Sequence, residues 1–212
     1  MPTDQRSHEI ADLRIGIPQD FYAVRLDEAQ LDSASWANTV IAEASEDSPG
    51  AALGPGLADE LADLRRRLLG QLNPWQVAAV HLRAAPDLIV AGYLTFQILD
   101  IDEGQDAAWF AAEAQRLSEA ADQTEVRSLL FESWVGDLPA GPFAGVHQVF
   151  EQLGDERDGW VEGRTVFGVF PPNATQMVQI IVTVEDLAAF PDMPADTQRI
   201  AETLEVDLEP IA

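Results

Sequence analysis

Between residues 126 and 184 the chain alternates runs rich in Val, Ile and aromatic residues with clusters of turn formers, and no helix-length segment intervenes. The runs are 126–135, 143–153, 160–170 and 177–184. They are separated by Gly136, Pro139, Gly141 and Pro142, by a polar loop over 154–159, and by Pro171-Pro172-Asn173. Parallel neighbours need a crossover of about a dozen residues or more, which these short breaks cannot supply. The pattern therefore predicts four consecutive antiparallel strands, a meander. A sheet with an apolar face must be covered, so segments outside this stretch have to provide helices.

The rest of the sequence offers that cover. A polar arm runs to residue 11, after which Leu13, Ile15 and Ile17 alternate with polar or small residues up to Pro18, and residues 21–26 resume an extended pattern. Over 27–45, Leu31, Ala34, Val40, Ile41 and Ala44 recur at helical spacing behind Asp27 and Glu28, acids placed where a helix N-terminus favours them. Two loop signals follow, Ser48-Pro49-Gly50 and Gly54-Pro55-Gly56. Leu57, Leu61, Leu64, Leu68 and Leu72 then step by three or four, predicting a second helix that ends near 70–74. Residues 75–82 and 88–101 flank Pro86-Asp87 and predict a hairpin whose second strand is central. A third helix is expected over 106–121 and a terminal one over 190–204, capped at Asp192. No repeat or long linker divides the chain. Residues 12–212 read as one α+β domain, an antiparallel sheet covered by helices.

Charge narrows the partners. The chain carries 37 acidic and 12 basic residues, a net charge of −25, yet 47% of it is apolar, so the acid belongs to a folded surface and not to a disordered chain. Such a surface repels phosphate backbones and anionic headgroups, so neither nucleic acid nor membrane is an expected partner. It favours a protein partner, above all a basic one, and it also suits a proteome adapted to high salt. All 12 basic residues are Arg. The bias fits a GC-rich genome such as an actinobacterium's, or an acidic halophile's, and removes every lysine-dependent phosphate clamp or Schiff base. With no cysteine, thiolate and Cys-rich metal chemistry are absent as well. The start is polar and no segment is apolar for long enough to span a bilayer, which predicts a cytoplasmic protein.

Several motifs bear on chemistry. Asp100-Ile101-Asp102 at the end of an apolar strand has the Asp-x-Asp form of haloacid-dehalogenase-like phosphatases. It follows two helices instead of opening the fold, Gly104 replaces the usual Thr or Val, and no lysine holds a phosphoryl group, so a strand-to-helix turn is the better account. Counted as a calcium loop from Asp100, the segment has Gln105 where Gly belongs and Ala111 where a bidentate Glu is needed. Gly54-Pro55-Gly56 lacks the third glycine of a dinucleotide fingerprint. His8, His81 and His147 lie far apart, and no Gly-x-Ser-x-Gly elbow occurs. No cofactor or metal is expected. His147, flanked by Phe143 and Phe150, is a candidate to line a sheet–helix cavity together with the Asp100/Asp102 turn. Arg65-Arg66-Arg67 is the only basic cluster, paired in part with Asp63 on a solvated helix face, with an acidic-partner contact as the functional alternative. Trp36 departs from the apolar spacing of the first helix and is therefore a candidate exposed interface anchor.

The stretches Leu13-Arg-Ile-Gly-Ile-Pro-Gln-Asp-Phe, Leu138-Pro-Ala-Gly-Pro-Phe-Ala-Gly-Val-His, Val166-Phe-Gly-Val-Phe-Pro-Pro and Ile181-Val-Thr-Val-Glu-Asp-Leu, with the terminal Ile200-Ala-Glu-Thr-Leu, resemble a group of uncharacterised actinobacterial proteins similar to the PsbP-like α/β/α sandwich superfamily. The resemblance covers the two ends best and residues 30–85 least. It implies a sandwich fold used for binding or accessory roles and transfers no catalytic residue; the family more often has Arg at the position of His147. The leading expectation is a non-enzymatic acidic binding or accessory protein engaging a protein partner, as an immunity protein or secretion chaperone does. The alternative is a small-ligand-binding protein or hydrolase using a sheet–helix cavity. A homodimer through an apolar sheet face or Trp36, and acidity as halophilic adaptation alone, stay open.

Overall fold

The computed structural model describes residues 7–28, 30–71, 77–120, 126–153 and 159–211. Its strands are β1 (His8–Arg14), β2 (Phe21–Val24), β3 (Ala52–Leu53), β4 (Val77–Arg83), β5 (Asp87–Asp100), β6 (Val126–Leu138), β7 (Gly141–Gln152), β8 (Val161–Val169), β9 (Gln176–Val184) and β10 (Glu205–Pro210). The helices are α1 (Ser33–Asp47), α2 (Leu57–Gly70), α3 (Ala107–Ala120) and α4 (Met193–Ala201), with a short 3-10 turn at Leu187–Ala189. The main sheet has eight strands in the order β2-β4-β5-β9-β8-β7-β6, with β3 pairing in parallel with β5 off that path. The meander expected from the second half is present as β6 to β9, and β9 closes it onto β5, which is central as the sequence implies.

Alternation along the strands separates two cores. Leu94, Phe96 and Ile98 of β5, Val178, Ile180 and Val182 of β9, and Phe167 and Val169 of β8 point to one face. Ile200 and Ala201 of α4 cover them, together with Leu13, Val206 and Leu208 of a separate two-stranded ribbon, β1 with β10. On the opposite face α1 and α2 pack over β2, β4 and the start of β5 through Trp36, Val40, Leu61, Leu64, Val80 and Leu88. There Phe110 and Ala111 of α3 rest on Ala144, Phe170 and Leu99. The α+β class with an antiparallel sheet between helices is thus the architecture of the chain.

Several boundaries differ from expectation. The strand at the start already begins at His8, inside the segment expected as a polar arm. The first helix starts at Ser33, because Asp32 is the residue that caps it, accepting the Ser35 amide at 2.9 Å. Gly136 lies within β6, so its turn shrinks to Pro139 and Ala140. The loop before α2 contains β3, and β10 follows α4. Leu72, Trp75 and the expected end of the second helix beyond residue 71 lie outside the described residues, as does the loop over 154–158.

Candidate functional site

The arginines are largely committed within the chain. Of the ten among the described residues, eight pair with carboxylates: Arg14 with Asp207, Arg25 with Glu28, Arg66 with Asp63, Arg83 with Asp186, Arg116 with Glu113, Arg127 with Glu151, Arg164 with Glu162 and Arg199 with Asp196. The acid surplus is left facing outward. Part of it lies on the β1–β10 ribbon, where the register sets Glu9 opposite Glu209 and Asp12 opposite Asp207, all exposed, with Glu205 beside them and Arg14 as the one arginine. Like charges directly opposite on an antiparallel pair repel.

The arginine triplet is not one surface cluster. Arg65 is 0% exposed. Its guanidinium donates at 2.8 Å to the carbonyls of Arg25, Glu28 and Leu31, and at 3.1 Å to Ser33 Oγ, pinning the loop before α1 onto α2. The expectation of a solvated or partner-facing Arg65 is corrected, because residue 65 shares the inner face with Leu61, Leu64 and Leu68. Arg66 and Arg67 remain exposed. Trp36 is corrected in the same way. It is 2% exposed in the α1/α2 core, and its indole N–H donates to the Ala23 carbonyl at 3.1 Å, so it anchors no interface.

His147, Asp100 and Asp102 do not converge. His147 sits on β7 in register with Thr165, Val182 and Leu94, whereas Asp100 lies six residues further along β5. At about 3.3 Å per residue that is about 20 Å along the strands. His147 is buried, with Nδ1 3.1 Å from Thr165 Oγ1. Burial pushes its imidazole below the usual range, while the Arg164 backbone, Glu132 and Asp192 act in the opposite direction. Asp100 accepts from Gln176 Nε2 at 3.0 Å, and the same Gln176 receives the Ile10 amide at 2.9 Å, so this aspartate helps seat β1 on the sheet. Asp102 lies in the exposed turn before α3, its amide bonded to Gln105 Oε1. The expected cavity of these three residues is therefore not formed.

A different histidine is placed at a cleft. His81 of β4 pairs in register with Phe21 of β2, which brings Asp20, at the strand's entrance, to the ring's edge: Asp20 Oδ2 lies 2.8 Å from Nε2. Phe21 stacks on the imidazole at 4.8 Å and Phe190 lies tilted against it at 5.2 Å. The ring is 5% exposed. Nδ1, on the other side of the ring from that contact, is sealed from solvent and has no hydrogen-bond partner among the described residues. Two clefts meet at His81 and Asp20, one of about 440 Å³ under Phe190 and α4, the other of about 690 Å³ reaching Tyr22, Asp47 and Arg83. In the second, Tyr22 OH donates to Asp47 at 3.0 Å. Burial, that bond and the fields of Asp47, Asp20 and Glu43 push the phenol up to about 12. No local spacing joins Asp20 to His81. The only sequence signals are a histidine within an apolar strand and an acid after the Pro18 break.

A further groove, of about 540 Å³, runs between the end of α3 and β6–β8, lined among others by Ser118, Gln148, Phe150 and Arg164. Arg164 lies 5.2 Å from the Phe150 ring centre and pairs with Glu162, a buried carboxylate. None of His147, Asp100 and Asp102 lines this groove or either cleft.

Among solved structures, the chain is similar to the solution structure of cyanobacterial PsbP from Synechocystis sp. PCC 6803, with 10% identity, a TM-score of 0.43 and coverage of 95% of this chain and 94% of that one. No family model matches the sequence, and no curated protein matches it. Among the described residues no helix is long and apolar enough to cross a membrane, and no group of three or more His, Asp or Glu side chains is placed to hold a metal ion.

Proposed function

We propose that this chain is a non-enzymatic binding or accessory protein whose acidic surface engages a basic protein partner, in the manner of an immunity protein or a secretion chaperone. The observation that carries the reading is the ribbon, where Glu9 faces Glu209 and Asp12 faces Asp207 with Arg14 alone to offset them. Opposed carboxylates cost folding energy in the free protein. A cationic partner relieves that repulsion on binding, and such complementary charge steers encounter. The enzymatic alternative has less support at His81, whose Nδ1 is sealed from solvent and whose Nε2 faces Asp20.

The test is capture from the native lysate with the tagged protein, compared with a variant carrying Glu9→Gln, Asp12→Asn, Asp207→Asn and Glu209→Gln, at low and high salt. A basic protein held by the wild type at low salt, released by high salt and not held by the variant is the expected result. A partner held equally by both proteins, or none held at either salt, overturns the proposal. The second reading, small-ligand binding, draws on the 540 Å³ groove with its Phe150–Arg164 stack.

A further inference from the structure

We infer that the outer edge of β6 is a docking strand: it takes an extended segment of the partner, antiparallel, with basic residues opposite Glu132 and Asp137 and apolar ones opposite Leu130 and Val135. The inference rests on the proposed acidic-surface function and supplies the contact that holds a partner once charge has drawn it in. β6 ends the main sheet and is 13 residues long, whereas β2 at the other end has four. An edge strand turns the N–H and C=O groups of alternate residues outward. Beyond the ladder with β7, no backbone–backbone hydrogen bond of residues 126–138 is formed among the described residues. Folded proteins commonly blunt such an edge with Pro, with Lys, with a bulge or with a covering element. Here the bulge stands at Leu129, near the start, and residues 130–138 run on in regular register without Pro, Lys or Arg.

The side chains of β6 are left open as well. Eight of its 13 residues are exposed, against none of the nine in β9. The Trp134 indole N–H donates to Gln198 of α4 at 3.3 Å, which puts Leu130, Glu132 and Trp134 on the α4 side of the sheet and Val135 and Asp137 on the α3 side. Each side therefore presents an exposed apolar residue two positions from an exposed carboxylate, Leu130 with Glu132 and Val135 with Asp137, Val135 being 58% exposed. Arg127, the one arginine of the strand, is paired with Glu151, and none of the arginine pairs among the described residues includes Glu132 or Asp137. Charge selects the occupant. Two copies of a chain with net charge −25 repel each other, so a second copy is disfavoured. A strand with Arg opposite each carboxylate makes favourable cross-strand pairs, and its apolar residues cover Leu130 and Val135. Main-chain bonds give strand addition its affinity, and alternate side chains give it specificity.

The experiment is an amide NMR titration of the full chain at low salt with a blocked octapeptide, Arg-Thr-Val-Val-Thr-Arg-Val-Leu, whose residues fall opposite 137 down to 130 in the antiparallel register. Its relatives are the peptide with Glu for both Arg, two peptides N-methylated on alternate residues in opposite phases, and tetra-arginine. The expected result is saturable shifts concentrated in residues 130–138, with hydrogen exchange slowed at alternate amides there. One N-methyl phase loses at least about tenfold in affinity and the other does not, because only one edge of the added strand faces β6. The Glu peptide binds at least about tenfold more weakly to the wild type, and the Glu132→Arg, Asp137→Arg variant reverses that preference. An unchanged amide spectrum outside β6 and β7 certifies the variant's fold. The docking strand is refuted if residues 130–138 do not shift, if the two N-methyl phases behave alike, or if the charge preference does not reverse. It is refuted equally if those amides are already protected in the free protein in a concentration-dependent way, the mark of a second copy. Tetra-arginine reports on the acidic-surface function separately: binding at residues 9–12 and 205–209 keeps that function, and no binding at low salt removes it, whichever way the octapeptide behaves.

Discussion

Arg65→Met tests the most specific departure from what the arginine triplet suggests. The substitution keeps a long, flexible apolar stem and removes five hydrogen bonds, among them donors to the carbonyls of Arg25, Glu28 and Leu31. Three carbonyls left without donors cost about 1–3 kcal/mol each if fully sealed, an upper range of about 3–9 kcal/mol. Two terms reduce it. Removing the guanidinium relieves its own desolvation, and Arg25 and Glu28 are exposed residues whose carbonyls recover some water. The net loss expected is about 3–5 kcal/mol, the lower part of that range. With a urea m-value of about 2.5 kcal/mol/M for a chain of this size, the midpoint falls by about 1.5 M. Arg65→Lys keeps the charge and offers three donors in place of a planar fork, so it falls between wild type and Met. Arg66→Gln, at an exposed residue whose partner is the i−3 Asp63, leaves the midpoint within experimental scatter. The reasoning is refuted if Arg65→Met shifts the midpoint by less than about 0.4 M, or if Arg66→Gln shifts it equally.

Two further outcomes follow from the same structure. Burial holds the His147 imidazole below its ordinary value of 6.5, so below that pH the unfolded chain binds the proton more readily than the folded one. Its contribution is complete above pH 6.5 and is lost as pH falls through the depressed folded value; urea midpoints at about pH 7.5 and about pH 5.5 therefore differ less in His147→Gln than in wild type, and an unchanged difference rejects the assignment. On the ribbon, Glu9→Gln removes the repulsion with Glu209 and raises thermal stability at low ionic strength. The gain vanishes near 1 M salt, where the Debye length is about 3 Å; a stability gain that salt leaves untouched would show that charge is not its source.

The sheet was readable because each strand of the meander is announced by its own turn residues, a local signal. Trp36 was misplaced by phase. Starting the helix at Asp27 counts Leu31 into the apolar stripe, whereas the cap at Asp32 leaves Leu31 outside and sets Trp36, Val40 and Ala44 in one line, four residues apart. Arg65 carried a usable signal, since it stands four residues after Leu61 and three before Leu68, on the buried stripe of α2. Its charge argued against its position, and only the backbone carbonyls of a loop about 40 residues away reconcile the two. β10 is six residues long, with acids alternating with Val206 and Leu208, and its partner β1 lies at the other end of the sequence, so neither strand alone reports the pairing. The same distance problem hides the contact of Asp20 with His81, separated by 61 positions.

Where the arginines go explains how a net charge of −25 becomes local patches. Arg25 with Glu28, Asp63 with Arg66, Glu113 with Arg116 and Asp196 with Arg199 are all separated by three residues, so each cation is consumed by an acid close to it in sequence. These pairs place their cations on the helices and the loop before α1 and send nothing to the ribbon, where Arg14 is the one arginine. At physiological ionic strength the Debye length is about 8 Å, so carboxylates further apart act on a partner almost independently. The total charge then governs how fast a cationic partner arrives at low salt, while affinity depends on the few carboxylates that act together at one place. Neutralising an acid already paired on a helix, such as Glu113, should change encounter alone. Neutralising Glu9 with Glu209, which face each other across the ribbon, removes carboxylates that act together at one place, and its effect should persist in dissociation rates after salt has suppressed the long-range term.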